Sequence, residues 1–191
     1  MDVDVFIIIL IHQLLFQGMF LIKNIYLSRK LGIKIRGNNP EAIISAIFFT
    51  LTIITALVIS YFNITLGKLS IMDDGLALAI SFGGMVISTF VSGASLVGLK
   101  DSWRVGVIEE QQTELVTSGI YKYTRNPYFS SYLLMFLSYT ILLQNTVLLA
   151  CFIVALIMVH KMILKEEKYL YSVHGESFLA YKKIAPRYLI L

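Results

Sequence analysis

The sequence predicts an all-α integral membrane protein with five transmembrane helices, and three observations carry that reading. Apolar residues make up 57% of the 191 residues and Asp, Glu, Lys and Arg only 15%, against roughly 45–50% and about 25% in soluble domains. The mean hydropathy is +0.76, and a soluble chain of this length has no core large enough to hide that much apolar surface. The apolar residues also fall into runs near the span length, about 20 residues for roughly 30 Å of hydrocarbon. Composition excludes disorder, and the single cysteine, Cys151, excludes a disulfide scaffold.

The first span covers 5–22. The chain opens Met1-Asp2-Val3-Asp4, acidic where a signal peptide needs a basic start, and no small-residue cleavage site follows. Spans two and three, 42–62 and 75–99, carry no charge. Spans four and five, 129–143 and 146–164, flank Gln144-Asn145, a polar pair suited to a tight hairpin between antiparallel helices. The fourth is short, so this hairpin is expected to cross a thin or partly protein-lined region. The fifth helix should leave the bilayer through Lys165-Glu166-Glu167 and stop near Gly175, with Phe178–Tyr181 as one amphipathic turn on the membrane surface. Residues 1–191 thus read as one membrane domain with a C-terminal segment at 165–191.

Charge sets the orientation. Lys23, Arg29, Lys30, Lys34 and Arg36 follow span one, and Lys100, Arg104, Lys122 and Arg125 follow span three. With Lys161, Lys165, Lys168, Lys182, Lys183 and Arg187 near the C-terminus, only Lys68 falls on the other side, beside Asp2, Asp4, Asp73 and Asp74. The N-terminus is therefore expected outside and the C-terminus in the cytoplasm. The membrane would be the cell membrane in a prokaryote and the endoplasmic reticulum in a eukaryote. The same placement assigns the net charge of +4 to topology rather than to nucleic-acid binding.

Within the spans, Gly84, Ser88 and Ser92 lie one turn apart and suit a close helix-packing seam. Gly83-Gly84 lacks the strand and the spacing of a nucleotide-binding loop. Gln13 and Gln17 share a face beside His12, either as interhelical hydrogen bonders or as the polar lining of a buried ligand cavity. His12, His160 and His174 have no metal-ligand spacing, so no metal is expected.

The residues with chemical potential lie at the cytoplasmic ends of spans four and five. Pro127 suits the first helical position, which makes Asn126 the N-cap of span four, with Arg125 beside it. Exposed N–H groups next to a guanidinium attract a carboxylate or phosphate; the plainer alternative is a simple cap with Arg125 on lipid phosphate. Glu166 and Glu167 point about 100° apart on a helix, so one can face a cavity while the other is solvated.

These pieces resemble a known family. Gly119-Ile120-Tyr121-Lys122-Tyr123-Thr124-Arg125-Asn126-Pro127 is similar to the G-x-Y-x-x-x-R-[HN]-P signature of the isoprenylcysteine carboxyl methyltransferase family and the related phospholipid N-methyltransferases. Glu166-Glu167, Gly175, Tyr181 and Pro186 match its E-E-x(7)-G-x(5)-Y-x(4)-P tail. The resemblance implies a membrane-embedded enzyme that takes S-adenosylmethionine into a cytoplasmic pocket formed by the last two spans, the signature turn and the C-terminal segment. It implies Arg125 and Glu166 as catalytic residues on opposite walls. It also implies Tyr121, Arg125, Asn126, Pro127, Tyr128, Glu166, Glu167 and Tyr181 as cofactor-binding residues. The acceptor would be lipidic or prenylated, with a carboxylate, amine or thiol to methylate. Asn126 replaces the family's commoner histidine, which argues against a histidine-dependent step. Where isoprenylcysteine enzymes carry an arginine about one turn before the acidic pair, this chain has Lys161, Met162 and Lys165. Two alternatives are an NADPH-dependent enzyme like the sterol reductases and a catalytically silent membrane scaffold.

Overall fold

The computed structural model describes residues 4–32, 35, 37, 39–105 and 114–189. Asp2, Lys34 and Arg36, used above for orientation, lie outside the described residues. Within them the protein is all-α: α1 Val5–Leu31, α2 Pro40–Tyr61, α3 Asp74–Gly98, α4 Pro127–Leu143, α5 Thr146–His174 and α6 Glu176–Ile184. Four of these, α1, α2, α3 and α5, are long and apolar enough to cross a membrane; α4 is a shorter apolar helix.

Capping explains most of the boundaries. The Asp4 carboxylate accepts from Ile7 N at 3.3 Å to start α1, and the Asp73 carboxylate accepts from Gly75 N at 2.9 Å and Leu76 N at 3.2 Å to start α3. Asn145 does the same for α5 through Val147 N at 2.9 Å. Pro40 and Pro127 each occupy the first helical turn. Helix α1 runs nine residues past the expected end of its span because nothing in 23–31 breaks a helix. It stops only at Gly32, whose φ of +63° puts it in the left-handed C-cap conformation. The basic residues Lys23, Arg29 and Lys30 are thus helical, and Lys30 pairs with Asp101 at 2.8 Å. Helix α6 is a nine-residue helix rather than a single turn.

Helices α3 and α4 pack closely. Gly84 faces Ser138, where any added Cβ would collide with the serine hydroxyl, and Ser88 and Ser92 are fully buried. This is the seam expected from the small-residue spacing. The core lies between α1, α2, α4 and α5 around Phe16, Phe136, Tyr139, Ala155 and Val159. The short α4–α5 turn at Gln144 brings the N-terminus of α4 and the last turns of α5 to the same end of the bundle. That juxtaposition builds the site.

Candidate active site

The chain enters the site through a 3₁₀ turn, Gly119–Lys122, that opens on Gly119 with φ +61°. Tyr121 is buried and leans on Gly98, where a side chain would crowd its ring. Its carbonyl accepts a hydrogen bond from the Tyr181 hydroxyl at 2.7 Å, tying the turn to α6. Three residues later Thr124, Arg125 and Asn126 meet the returning C-terminal segment. Arg125 N donates to Pro186 O at 2.9 Å, and Thr124 Oγ1 and Asn126 Nδ2 both donate to Arg187 O, at 3.0 and 3.1 Å.

Asn126 stands at the N-cap position, but its side chain makes no capping bond. Its amide is spent on the tail instead. Pro127 has no N–H, and those of Tyr128 and Phe129 have no partner within the helix. Ser130 N is satisfied by Asn126 O at 3.0 Å.

The two glutamates have opposite surroundings. Glu167 is buried, and its Oε1 accepts from Arg125 Nη2 at 2.8 Å, Arg125 Nε at 3.2 Å and Arg187 Nε at 3.0 Å. Its Oε2 accepts from Arg187 Nη2 at 2.9 Å. Burial pushes this carboxyl up, but the Arg187 and Arg125 hydrogen bonds outweigh it and hold Glu167 below the ordinary range. It is thus neither solvated nor on the cavity wall. Arg125 also donates through Nη1 to Ala185 O and, at 3.3 Å, to Lys182 O, which leaves one of a guanidinium's five N–H groups free.

Glu166, one residue earlier and beyond the apolar stretch that ends at Leu164, lines a cavity of about 850 Å³. It makes no hydrogen bond or ion pair among the described residues. Desolvation, helped by the charge of Glu167, raises its pKa to about 7. The same cavity is lined by Tyr121, Arg125, Asn126, Pro127, Tyr128 and Tyr181, so of the residues expected in a pocket only Glu167 stands off its wall. Tyr128 packs edge-on to Trp103 at 4.8 Å and stacks on Phe20 at 6.1 Å, making the wall below Pro127 aromatic. Towards the bundle interior the lining turns apolar, with Leu14, Ala46, Phe49 and Ile53. Sequence reasoning missed Arg187 and Thr124. Arg187 directly follows the motif proline Pro186, which was the available signal.

The model of the isoprenylcysteine carboxyl methyltransferase (ICMT) family matches residues 77–172, half of the chain. The protein belongs to this family. The match runs from α3 through most of α5 and includes the signature turn and both glutamates. Membership makes the chain a membrane methyltransferase. No curated protein matches it.

Proposed function

We propose that this ICMT-family protein transfers a methyl group from S-adenosylmethionine to a lipidic or prenylated acceptor in the cavity between the N-terminus of α4 and the end of α5. The observation that carries the reading is the carboxylate of Glu166, unpaired among the described residues, and the open N–H groups of the α4 N-terminus on one partly apolar cavity. An amino-acid cofactor presents both complements, a carboxylate for the N–H groups and an ammonium for a glutamate. The donor set therefore fits the group.

When bound, the cofactor supplies a sulfonium whose methyl is already electrophilic, so positioning and exclusion of water are the protein's main tasks. Glu166 accepts from the cofactor's amino or ribose groups. Tyr121, Tyr128 and Tyr181 form the wall, and Asn126 and Pro127 set the start of α4. Arg125 acts chiefly as a positioning residue, fixing the turn through Glu167 and offering its last N–H to the ligand. Glu167 supports the site through the two arginines. A lipidic acceptor enters from the membrane between α1 and α2, where the cavity-lining Leu14 and Leu21 are 67% and 58% exposed.

In this reading the chain is a single membrane domain of five spans, with the α4–α5 hairpin crossing as a unit. The N-terminus lies outside and the site lies on the cytoplasmic side. Calorimetric titration of the purified protein in detergent with S-adenosylhomocysteine and with NADPH tests it. Binding of S-adenosylhomocysteine supports methyl transfer. Binding of NADPH alone supports a reductase, and binding of neither supports a silent scaffold.

A further inference from the structure

The acceptor half of the cavity has a polar floor. No residue before Gln13 on α1, beyond Ile53 on α2, beyond Tyr132 on α4 or before Met162 on α5 lines the cavity. The floor sits about five residues into α4, roughly 7 Å below its start at a rise of about 1.5 Å per residue. Hydrocarbon tails need no hydrogen bonds at that depth, yet Gln13, Gln17 and Tyr132 line it.

Gln13 has a packing role. Its amide donates to Tyr139 Oη at 2.6 Å, and Tyr139 donates its proton to His12 Nδ1 at 2.5 Å. His12 then donates from Nε2 to Ser88 Oγ at 3.1 Å, and Ser88 donates to Met85 O at 2.8 Å. Every proton in this chain has a place, which fixes His12 as the neutral Nε2–H tautomer and closes the cavity beneath Gln13.

Gln17 and Tyr132 are different. Among the described residues Gln17 is held only by two long contacts, its amide donating to Gln13 Oε1 at 3.4 Å and its carbonyl accepting from Tyr132 at 3.4 Å. That leaves one amide N–H and acceptor capacity unused. A half-buried amide left short of partners on a cavity wall is costly unless a ligand supplies them.

We propose that Gln17 and Tyr132 form an acceptor subsite that hydrogen-bonds a neutral oxygen group, a hydroxyl or carbonyl, on the apolar part of the substrate, away from the atom that receives the methyl. The group is neutral because the charged residues of the cavity, Glu41, Arg104, Glu114, Arg125, Lys165 and Glu166, all belong to its other end. The acceptor is thus an oxygen-bearing lipid rather than an unbroken hydrocarbon chain. This inference rests on the acceptor's occupying the cavity, as in the proposed function, but not on which cofactor delivers the methyl.

The test is binding of tritiated S-octyl-, S-decyl- and S-dodecylcysteine, each with and without a terminal hydroxyl, to the full chain in lipid nanodiscs, with empty nanodiscs subtracted. At one chain length the hydroxylated probe should bind about tenfold more tightly, the effect of one or two neutral hydrogen bonds. Gln17→Leu and Tyr132→Phe should each reduce the preference to about twofold or less, with melting temperatures reporting that the variants fold. The ratio of the two probes cancels any change common to both. Lack of preference at every length, its survival in the double variant, or no specific binding of any probe would overturn the subsite. Because no methyl is transferred, failure of the S-adenosylhomocysteine titration leaves this result readable.

Discussion

The two ends of the α4–α5 hairpin are both polar and both buried, but they use polarity in opposite ways. At the turn, Gln144 and Asn145 are 2% and 1% exposed. Gln144 Oε1 accepts from Ile71 N and Met72 N at 3.0 and 2.9 Å, while its amide donates to Met72 O and Asp74 Oδ1, both at 3.1 Å. Asn145 Nδ2 donates to Leu66 O at 2.9 Å, and Thr146 N donates to Gly67 O at 2.9 Å. Both amides are thus tied to the α2–α3 loop, so this end is a staple. At the other end Glu167 is equally well satisfied, but its neighbour Glu166 is not, and the cavity opens in front of it. A fully bonded buried group holds structure, whereas an unbonded one on a cavity wall awaits a ligand.

The largest expected effect comes from breaking the better-satisfied carboxylate. Glu167→Leu strands Arg125, whose side chain is 6% exposed, together with the hydrogen-bonding face of Arg187. Removing one partner of a buried pair costs about 3–5 kcal/mol. Denaturation in detergent should show that loss, with the C-terminal segment becoming open to proteolysis. Next comes the staple. Gln144→Ala deprives two loop N–H groups of their acceptor, for about 1–3 kcal/mol, and should lower the melting temperature while leaving S-adenosylhomocysteine affinity intact.

The pH dependence separates the two glutamates. With Glu166 titrating near 7, affinity for S-adenosylhomocysteine should fall as pH drops below 7, approaching tenfold per unit, and Glu166→Gln should flatten the profile. In the ligand-free protein Glu166 takes up a proton on folding between its ordinary 4.5 and about 7. Its contribution to stability therefore declines as pH rises through that window, which a melting series across the same range will check. The smallest effect is expected at Asn126. Its Nδ2 makes one hydrogen bond to Arg187 O that an imidazole N–H can replace, so Asn126→His should shift stability by less than about 1 kcal/mol and leave binding in place.

Much of this contrast was legible in the sequence. The apolar runs, Pro127, Gly175 and the Gln144-Asn145 pair marked the helices and their ends, because caps and breakers act locally. The end of α1 was not, since Lys23 and Arg29 stop a hydrophobic run without stopping a helix. Gln144 and Asn145 were readable as turn residues, but their burial depends on the Leu66–Met72 loop, which carries no pattern of its own. The two motif blocks named the residues that converge on the cavity. Helical periodicity alone separates Glu166 from Glu167 by about 100° without saying which faces inward. That choice is made by Arg187, which reaches Glu167 only because the chain turns back after Ala185.

The most direct test of the central claim, that Glu166 and not Glu167 faces the cofactor, is calorimetric titration of S-adenosylhomocysteine into Glu166→Gln. A charged hydrogen bond contributes about 1.5–3 kcal/mol, so affinity should fall roughly 10- to 150-fold with the melting temperature unchanged or raised at pH 7. A Glu166→Gln protein that binds S-adenosylhomocysteine as tightly as the parent would contradict the account.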